Sequence, residues 1–441
     1  MLIILATHPI QYQVPLWQAL ARDGRVPFEV WYLTHHGVAA SHDREFGKSF
    51  AWDLDMLADY PHRLLDAMPG ASPNAFWPCR SRESLADRLR KRGAKALWIQ
   101  GWQVAGYWQA VWAAKQAGVE VWLRAESNDL APVPLWKRAI KKIILGQFLR
   151  RVDRFLCIGT GNRRLYQRYG VKEERLYSAP YAVDNERFKR QAETLKNRKA
   201  EIRKGWGIPE DAFCVMFCGK FIAKKRPLDL VEAARLLLDQ KSVVSGQWSV
   251  VPKVHLLFVG SGELGAELRE ACHVVFDAEN QKSEVRNQKS EGPSDIRYSS
   301  FVIPYSLPPA TFAGFLNQTE ISKAYVAADC LVLPSDYGET WGLVVNEAMA
   351  SGLPCVISDQ CGSSVDLGNV GANTVFPCGD TAALADRLLE TSCRRNSNQM
   401  VKAQTPPPGL AQTIATVVLL CSQSREGAMM NRVNPNANSS T

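Results

Sequence analysis

Nowhere in this 441-residue chain do eighteen apolar residues run together, which excludes a membrane-spanning helix. The apolar opening from Met1 to Ala6 lacks a basic n-region and is too short for a secretory signal. A cytoplasmic protein is therefore expected, with the inner face of the membrane as a second station. Eleven cysteines occur without any Cys-x-x-Cys pair, and Cys157, Cys330 and Cys355 lie inside apolar, strand-like runs. Free cysteine in such runs behaves as a small hydrophobe, so reduced thiols and no zinc site are expected. No Gly-x-Gly-x-x-Gly follows the first apolar run, which disfavours an ordinary dinucleotide-dependent dehydrogenase. The net charge is +9, yet no nucleic-acid motif accompanies it. That leaves an anionic membrane surface and phosphorylated ligands as the better partners.

What is present is length and alternation. A chain of 441 residues with 46% hydrophobic content exceeds one ordinary core and can fill two. Short apolar runs at Leu2–Ala6, Phe28–Leu33, Ala96–Ile99, Val119–Leu123 and Arg154–Ile158 alternate with helical patterns such as Val14–Arg22 and Tyr107–Gln116. A βαβα order of this kind predicts a parallel sheet covered on both faces. The polar segment Ala192–Lys204 reads as the start of an inter-domain connection. A second series then follows, with strands at Phe213–Cys218, His255–Val259 and Cys330–Leu333 and helices at Pro227–Leu238 and Thr381–Glu390. The expected division is a first domain over 1–190, a second over 205–395, and an irregular, partly disordered C-terminal segment over 396–441 that can include a crossing helix. Asp239–Lys253 and Ala278–Leu307 interrupt the second series. The latter repeats Asn280-Gln-Lys-Ser-Glu284 as Asn287-Gln-Lys-Ser-Glu291, a polar duplication that reads as a surface insertion.

The most informative stretch runs from Cys330 to Asp359. An apolar strand breaks at Pro334 and passes through a polar loop to Gly342; a helix follows, Gly352 and Pro354 end it, and Cys355–Ile357 is a second strand. Loops after strand ends and the free N–H groups at helix starts line ligand crevices in such units. Glu339 lies in the loop and Glu347 one turn into the helix, seven residues between them. The helix start suits a phosphate, and the two carboxylates suit hydroxyl groups. A nucleotide sugar has both features. Diphosphate also calls for cations after a strand, and Gly219-Lys220-Phe-Ile-Ala-Lys224-Lys225-Arg226-Pro227 stands directly after Phe213–Cys218. Gly260-Ser-Gly262 follows His255–Val259, where glycines permit close backbone approach to a base or phosphate, or simply make a tight turn.

With its flanking Pro334-Ser335, Gly338-Glu339, Gly342-Leu343 and Glu347-Ala-Met-Ala-Ser-Gly-Leu-Pro354, this stretch resembles the Glu-x7-Glu signature of glycosyltransferase family 4. The resemblance implies a GT-B fold, two Rossmann-like α/β domains facing each other across a cleft, and retaining sugar transfer without a divalent metal or other cofactor. The donor would be a nucleoside-diphosphate sugar, the acceptor a saccharide or lipid-linked molecule of polysaccharide or glycolipid synthesis. Lys220 and Lys225 match the family's diphosphate-binding basic pair, with Lys in place of the commoner Arg at the first. Glu347 would take the ribose hydroxyls and Glu339 the transferred sugar. The amides at Gly342, Leu343 and Val344 would face diphosphate or sugar, and Gly260 and Gly262 the nucleotide. Relatives often carry a His after about the fourth strand; here Glu126 takes that place, either catalytic or paired with Arg124. Thr7-His8-Pro9-Ile-Gln11-Tyr12 resembles the first loop of members acting on cell-surface saccharides, which makes His8, Gln11 and Tyr12 acceptor-side candidates. No Asp-x-Asp stands at a matching strand end; Asp53-Leu-Asp55 reads as structural or acceptor-side. Two other functions fit the same residues: a GT-B epimerase or phosphorylase, and a non-catalytic nucleotide-sugar binder.

A further pattern spans Pro134–Leu145. Lys137, Arg138, Lys141 and Lys142 share one helical face, while Trp136, Ile140, Ile143 and Ile144 share the other. Such a helix can lie on an anionic membrane, or it can bury its apolar face in the domain core.

Overall fold

A computed structural model describes residues 1–38, 41–43, 48–132, 134–239, 252–281, 307–396 and 405–433. The chain divides into two compact units. The first comprises Met1–Ser41, Phe50–Asp184 and Pro408–Thr441; the second comprises His42–Ser49 and Asn185–Pro407. Each is built on a seven-stranded sheet with parallel pairings.

The first sheet runs in space His62–Leu64, Phe28–Tyr32, Leu2–Ala6, Ala96–Ile99, Glu120–Leu123, Arg154–Cys157, Leu176–Ser178. Its central strands Leu2–Ala6 and Ala96–Ile99 are apolar and buried at every position because both faces are covered. Ile3, Leu5, Leu97 and Ile99 pack with Tyr107, Val111, Leu145 and Phe148. The alternate residues Leu2, Ile4 and Trp98 pack with Trp17 and Leu20 from the helix Val14–Asp23. Ile414, Val417 and Leu420 complete that second face. They lie on a 24-residue helix, Leu410–Val433, within the C-terminal segment for which the sequence allows a helix, and it belongs to the first unit. Thr416 ties it down by donating to the Ser178 carbonyl at 2.7 Å.

The second sheet runs His273–Asp277, Pro309–Gly314, Val254–Val259, Phe213–Cys218, Cys330–Leu333, Cys355–Ser358, Thr374–Phe376. The strand order reverses at Phe213–Cys218, which has Val254–Val259 on one side and Cys330–Leu333 on the other. Loops leaving the carboxyl ends of these three strands therefore converge at a switch point. The polar segment read as the start of a connection is helical, as Asn185–Leu195 and Lys199–Gly205. Its charge is used inside the second unit: fully buried Arg203 donates to Asp329 at 2.6 Å and to the carbonyls of Ala327 and Ala212. Lys199 and Arg395 also reach Asp329. Burial pushes the Asp329 carboxyl upward, but Lys199 and Arg203, with the Cys214 amide, outweigh it and hold the group below its ordinary value.

Of the expected insertions Asp239–Lys253 and Ala278–Leu307, residues 240–251 and 282–306 lie outside the described residues. The amphipathic pattern at 134–145 forms part of a helix, Leu135–Leu149. It docks through Leu145, Phe148 and Leu149 near its C-terminal end, which lie on the same side of the helix as Arg138 and Lys141. Trp136, Ile140, Ile143 and Ile144 are 51–69% exposed. The apolar stripe thus points to solvent, and the option that buries it in the core is corrected.

Candidate active site

The Phe213–Cys218 strand ends in Gly219 and half-buried Lys220, after which a single turn, Ala223–Lys225, precedes the helix Pro227–Asp239. Lys225 turns inward and forms an ion pair with Glu339, which sits in the loop after the neighbouring strand Cys330–Leu333. The two loops are also joined through the backbone, where Asp336 N–H donates to the Lys224 carbonyl at 2.9 Å. Burial pulls Lys225 down to about 8. The neighbouring Lys224 and Lys220 add to that, while Cys361 and Cys218 act against it.

Gly342 opens the helix Leu343–Ala350 with φ of 89°. A side chain there would sit 2.4 Å from Leu333 Cδ2, so glycine is required both for the left-handed backbone and for space. It supplies no capping side chain, and Leu343 and Val344, half-buried, carry the first amides of the helix. Glu347, one turn on, is half-buried and accepts a hydrogen bond from the Tyr325 hydroxyl at 2.6 Å. Burial raises the pKa of Glu347, with Tyr325 and Arg187 pulling the other way.

Gly260 and Gly262, which the resemblance sets against the nucleotide, are required by packing within the unit. An added Cβ would lie 2.0 Å from the Gly219 carbonyl oxygen at Gly260, and 2.6 Å from that of Phe221 at Gly262. Backbone bonds seal the contact, from Gly219 N–H to Val259 at 2.9 Å and from Phe221 N–H to Ser261 at 2.9 Å. The pair of glycines holds the Lys220 loop in place by letting two main chains touch.

The first unit gathers another group. Tyr12 donates to both Glu126 oxygens, at 3.0 and 2.9 Å, and Gln13 Nε2 donates at 3.2 Å. The proposed pairing of Glu126 with Arg124 is not what forms: buried Arg124 stacks over the Tyr181 ring at 4.7 Å, and Tyr181 in turn meets Tyr12 edge-on at 5.7 Å. The Glu126 loop is pinned from behind by Asn162, which donates to the carbonyls of Ala125 and Ser127 at 3.1 and 2.7 Å. His8 bonds Thr7 at 2.9 Å and meets the His36 ring at 5.1 Å. Burial, with His36 adding to it, lowers His8 to about 4, so it is neutral at physiological pH. Gln11 is half-buried beside it in sequence.

The structure thus brings Lys225 to Glu339 and Tyr12 to Glu126, four residues that the sequence offered as candidates without pairing them. Sequence reading missed Tyr325, Arg187, Gln13 and Tyr181. None has a local signature: Tyr325 stands 22 residues before the carboxylate it serves, and Gln13 stands 113 before its own.

Two seven-stranded parallel α/β units of this form define the GT-B fold. The structure of Anabaena HepE in complex with UDP and glucose is similar to the chain with a TM-score of 0.55 and 13% identity, covering 100% of this chain and 99% of that one. Sucrose-phosphate synthase from Thermosynechococcus elongatus gives 0.53 and 17%, over 97% and 99%. Residues 307–405 match the family model described as Glycosyl transferases group 1, a span that includes Glu339, Glu347 and the helix between them and Gly352. A D-inositol 3-phosphate glycosyltransferase of Salinispora arenicola is 29% identical over 299 residues, 63% of this chain and 59% of that protein. The sulfoquinovosyl transferase of Arabidopsis thaliana is 49% identical over 59 residues, 13% and 11% of the two chains. The chain therefore spans about three-fifths, or less, of these curated relatives.

Proposed function

We propose that this chain is a retaining, metal-independent glycosyltransferase of family 4 type. It moves a sugar from a nucleoside-diphosphate sugar, UDP being the nucleotide bound in the similar HepE structure, to a saccharide or lipid-linked acceptor of polysaccharide or glycolipid synthesis. The observation that carries this reading is the junction of Lys225, Glu339 and Glu347 at the switch point of the second sheet. A diphosphate arriving there competes for the Lys225 ammonium and leaves the Glu339 carboxylate to accept from sugar hydroxyls. Lys220 and the amides of Leu343 and Val344 add positive potential. Glu347, with one oxygen already bonded by Tyr325, offers the other to ribose hydroxyls. As the bond from the anomeric carbon to the diphosphate breaks, the departing charge falls on these donors. The acceptor oxygen forms the new bond and its proton passes to the leaving phosphate. Glu126 and Tyr12, with His8 and Gln11, form the acceptor-side group of the first unit.

Work at a cytoplasmic, anionic membrane surface belongs to the same proposal. Among the described residues no helix is long and apolar enough to cross a membrane. The exposed Trp136, Ile140, Ile143 and Ile144, on a helix without an acidic residue from Pro134 to Arg151, suit lying on one.

The test is release of nucleoside diphosphate from a panel of nucleotide sugars offered with saccharide and lipid-linked acceptors. Wild-type turnover is expected, with a loss of about 100-fold or more in Lys225→Ala. Binding without turnover would move the protein to the non-catalytic binders, and product without added acceptor would make it an epimerase.

A further inference from the structure

In the first unit, a cavity of about 620 Å³ opens beside the exposed helix stripe, with Phe76, Trp77, Trp108 and Ile144 among its walls. Its aromatic side chains are not loosely attached. Trp77 is 69% exposed and packs edge-on against Phe76 at 5.1 Å. The segment that carries them is hydrogen-bonded to the helix Ala105–Gln116, from Ala105 N–H to Phe76 at 2.9 Å and from Gly106 N–H to Cys79 at 2.8 Å. Gln109 clamps the same segment by bonding both N–H and C=O of Ser81, at 3.0 and 2.9 Å. A fixed backbone thus presents two large aromatic rings to water, an arrangement that costs free energy unless something apolar covers them.

The lining also fixes the charge of what would cover them. Among the described residues no carboxylate lines the cavity, and Arg80 and Arg82 stand in its wall, both exposed. The nearest acidic partner is Asp66, 3.9 Å from Arg82 and itself 59% exposed. Ile144 belongs to both the cavity and the exposed stripe of Trp136, Ile140 and Ile143, so the apolar surface is continuous from one to the other. An apolar slot with guanidinium groups at its wall, open along an amphipathic helix, matches an amphiphile whose head is anionic.

We propose that this cavity takes one alkyl chain of a phosphate-headed membrane lipid, the chain lying against Phe76, Trp77, Trp108 and Ile144 and the phosphate meeting Arg80 and Arg82. The proposal rests on the membrane-surface reading above and gives it a specific lipid contact. Bilayer adsorption through the stripe is non-specific in chain number, whereas the cavity selects a single chain and its head.

The test uses the full-length protein and a chain-brominated dodecyl phosphate held below its aggregation concentration, read as quenching of tryptophan fluorescence. Saturable quenching is expected. It should fall by most of its amplitude in the Trp77→Phe, Trp108→Phe variant, and the midpoint should rise at least tenfold in Ile144→Asp. A brominated dodecyl trimethylammonium should bind at least tenfold more weakly than the phosphate, and the Arg80→Glu, Arg82→Glu variant should abolish that preference. Ile144 is 56% exposed, so its variant is expected to melt with wild type. Absence of saturation, equal quenching by both head groups, or quenching indifferent to Trp77 and Trp108 would overturn the cavity. Sedimentation with phosphatidylglycerol vesicles separates the two readings. Ile140→Asp with Ile143→Asp should release the protein from vesicles while leaving dodecyl phosphate binding intact. Vesicle binding that survives in a protein with no alkyl phosphate site would sink the cavity and keep the surface. The reverse result would keep the cavity and sink the surface.

Discussion

In the second unit the loop carboxylate Glu339 meets an ammonium, Lys225, whereas in the first unit Glu126 is held by the neutral donors Tyr12 and Gln13. The two environments prepare for different events. A lysine already paired with a carboxylate can exchange that partner for a diphosphate, because the incoming ligand brings like charge to the same place. A carboxylate held by hydroxyl and amide keeps its geometry, so it orients rather than exchanges. The supporting structure differs in the same sense. Around Lys225 the loops are locked by main-chain contact through Gly260 and Gly262, while the Glu126 loop is locked by side chains, Asn162 behind and Tyr12 in front.

The largest effect that would sharpen this contrast is one of pH. Burial holds Lys225 at about 8 rather than 10.5, so its ammonium is lost as pH rises past 8 and nucleotide affinity should fall, at the limit, by about tenfold per unit. Lys225→Arg should flatten that dependence, since a guanidinium stays charged. Stability should move in the opposite direction. The unfolded chain keeps this proton up to the ordinary lysine value, so it binds more protons than the folded one between pH 8 and 10.5, and this group makes stability rise over that interval. Calorimetric titration of nucleotide across pH 7–10, alongside melting curves, reads both signs. A flat affinity in wild type would show that the cation does not carry the diphosphate.

A smaller effect belongs to the first unit. Tyr12→Phe removes a hydrogen bond to a charged acceptor, worth about 1.5 kcal/mol or a little more. We expect KM for the acceptor to rise about tenfold with nucleotide affinity unchanged, measured by steady-state kinetics at saturating donor. A change confined to the donor would break the assignment of this group to the acceptor.

How far the sequence could be read follows from how locally each feature is encoded. The strand, loop, helix and exit around Glu339 and Glu347 are contiguous, so a periodicity change and a Gly and Pro at fixed places expose them. The role of Tyr325 was not legible, because nothing in a chain marks which tyrosine will stand over a glutamate 22 residues on. Nor was the partner of Glu126, which lies 114 residues away across the sheet. Arg124 was the plausible neighbour by proximity, but Tyr181 offers it a ring face instead. For the helix Leu135–Leu149 the pattern showed two faces without saying which one docks. Leu145, Phe148 and Leu149 decide that, and they share a side with the basic residues. For the C-terminal segment a helix could be allowed for but not bounded or docked, because Ile414, Val417 and Leu420 are interspersed with polar residues and nothing local says which sheet face they cover. The edge strands His62–Leu64 and His273–Asp277 are short and largely exposed, and so carry little of the apolar signal that marks central strands.

The central claim is that the second unit alone carries the nucleotide, and calorimetric titration of UDP into wild type, Glu347→Ala and Glu126→Ala tests it most directly. Loss of a charged hydrogen bond to ribose should weaken binding by about tenfold or more in Glu347→Ala, while Glu126→Ala should bind as wild type does. Equal affinity in all three proteins, or a loss in Glu126→Ala alone, would contradict the account.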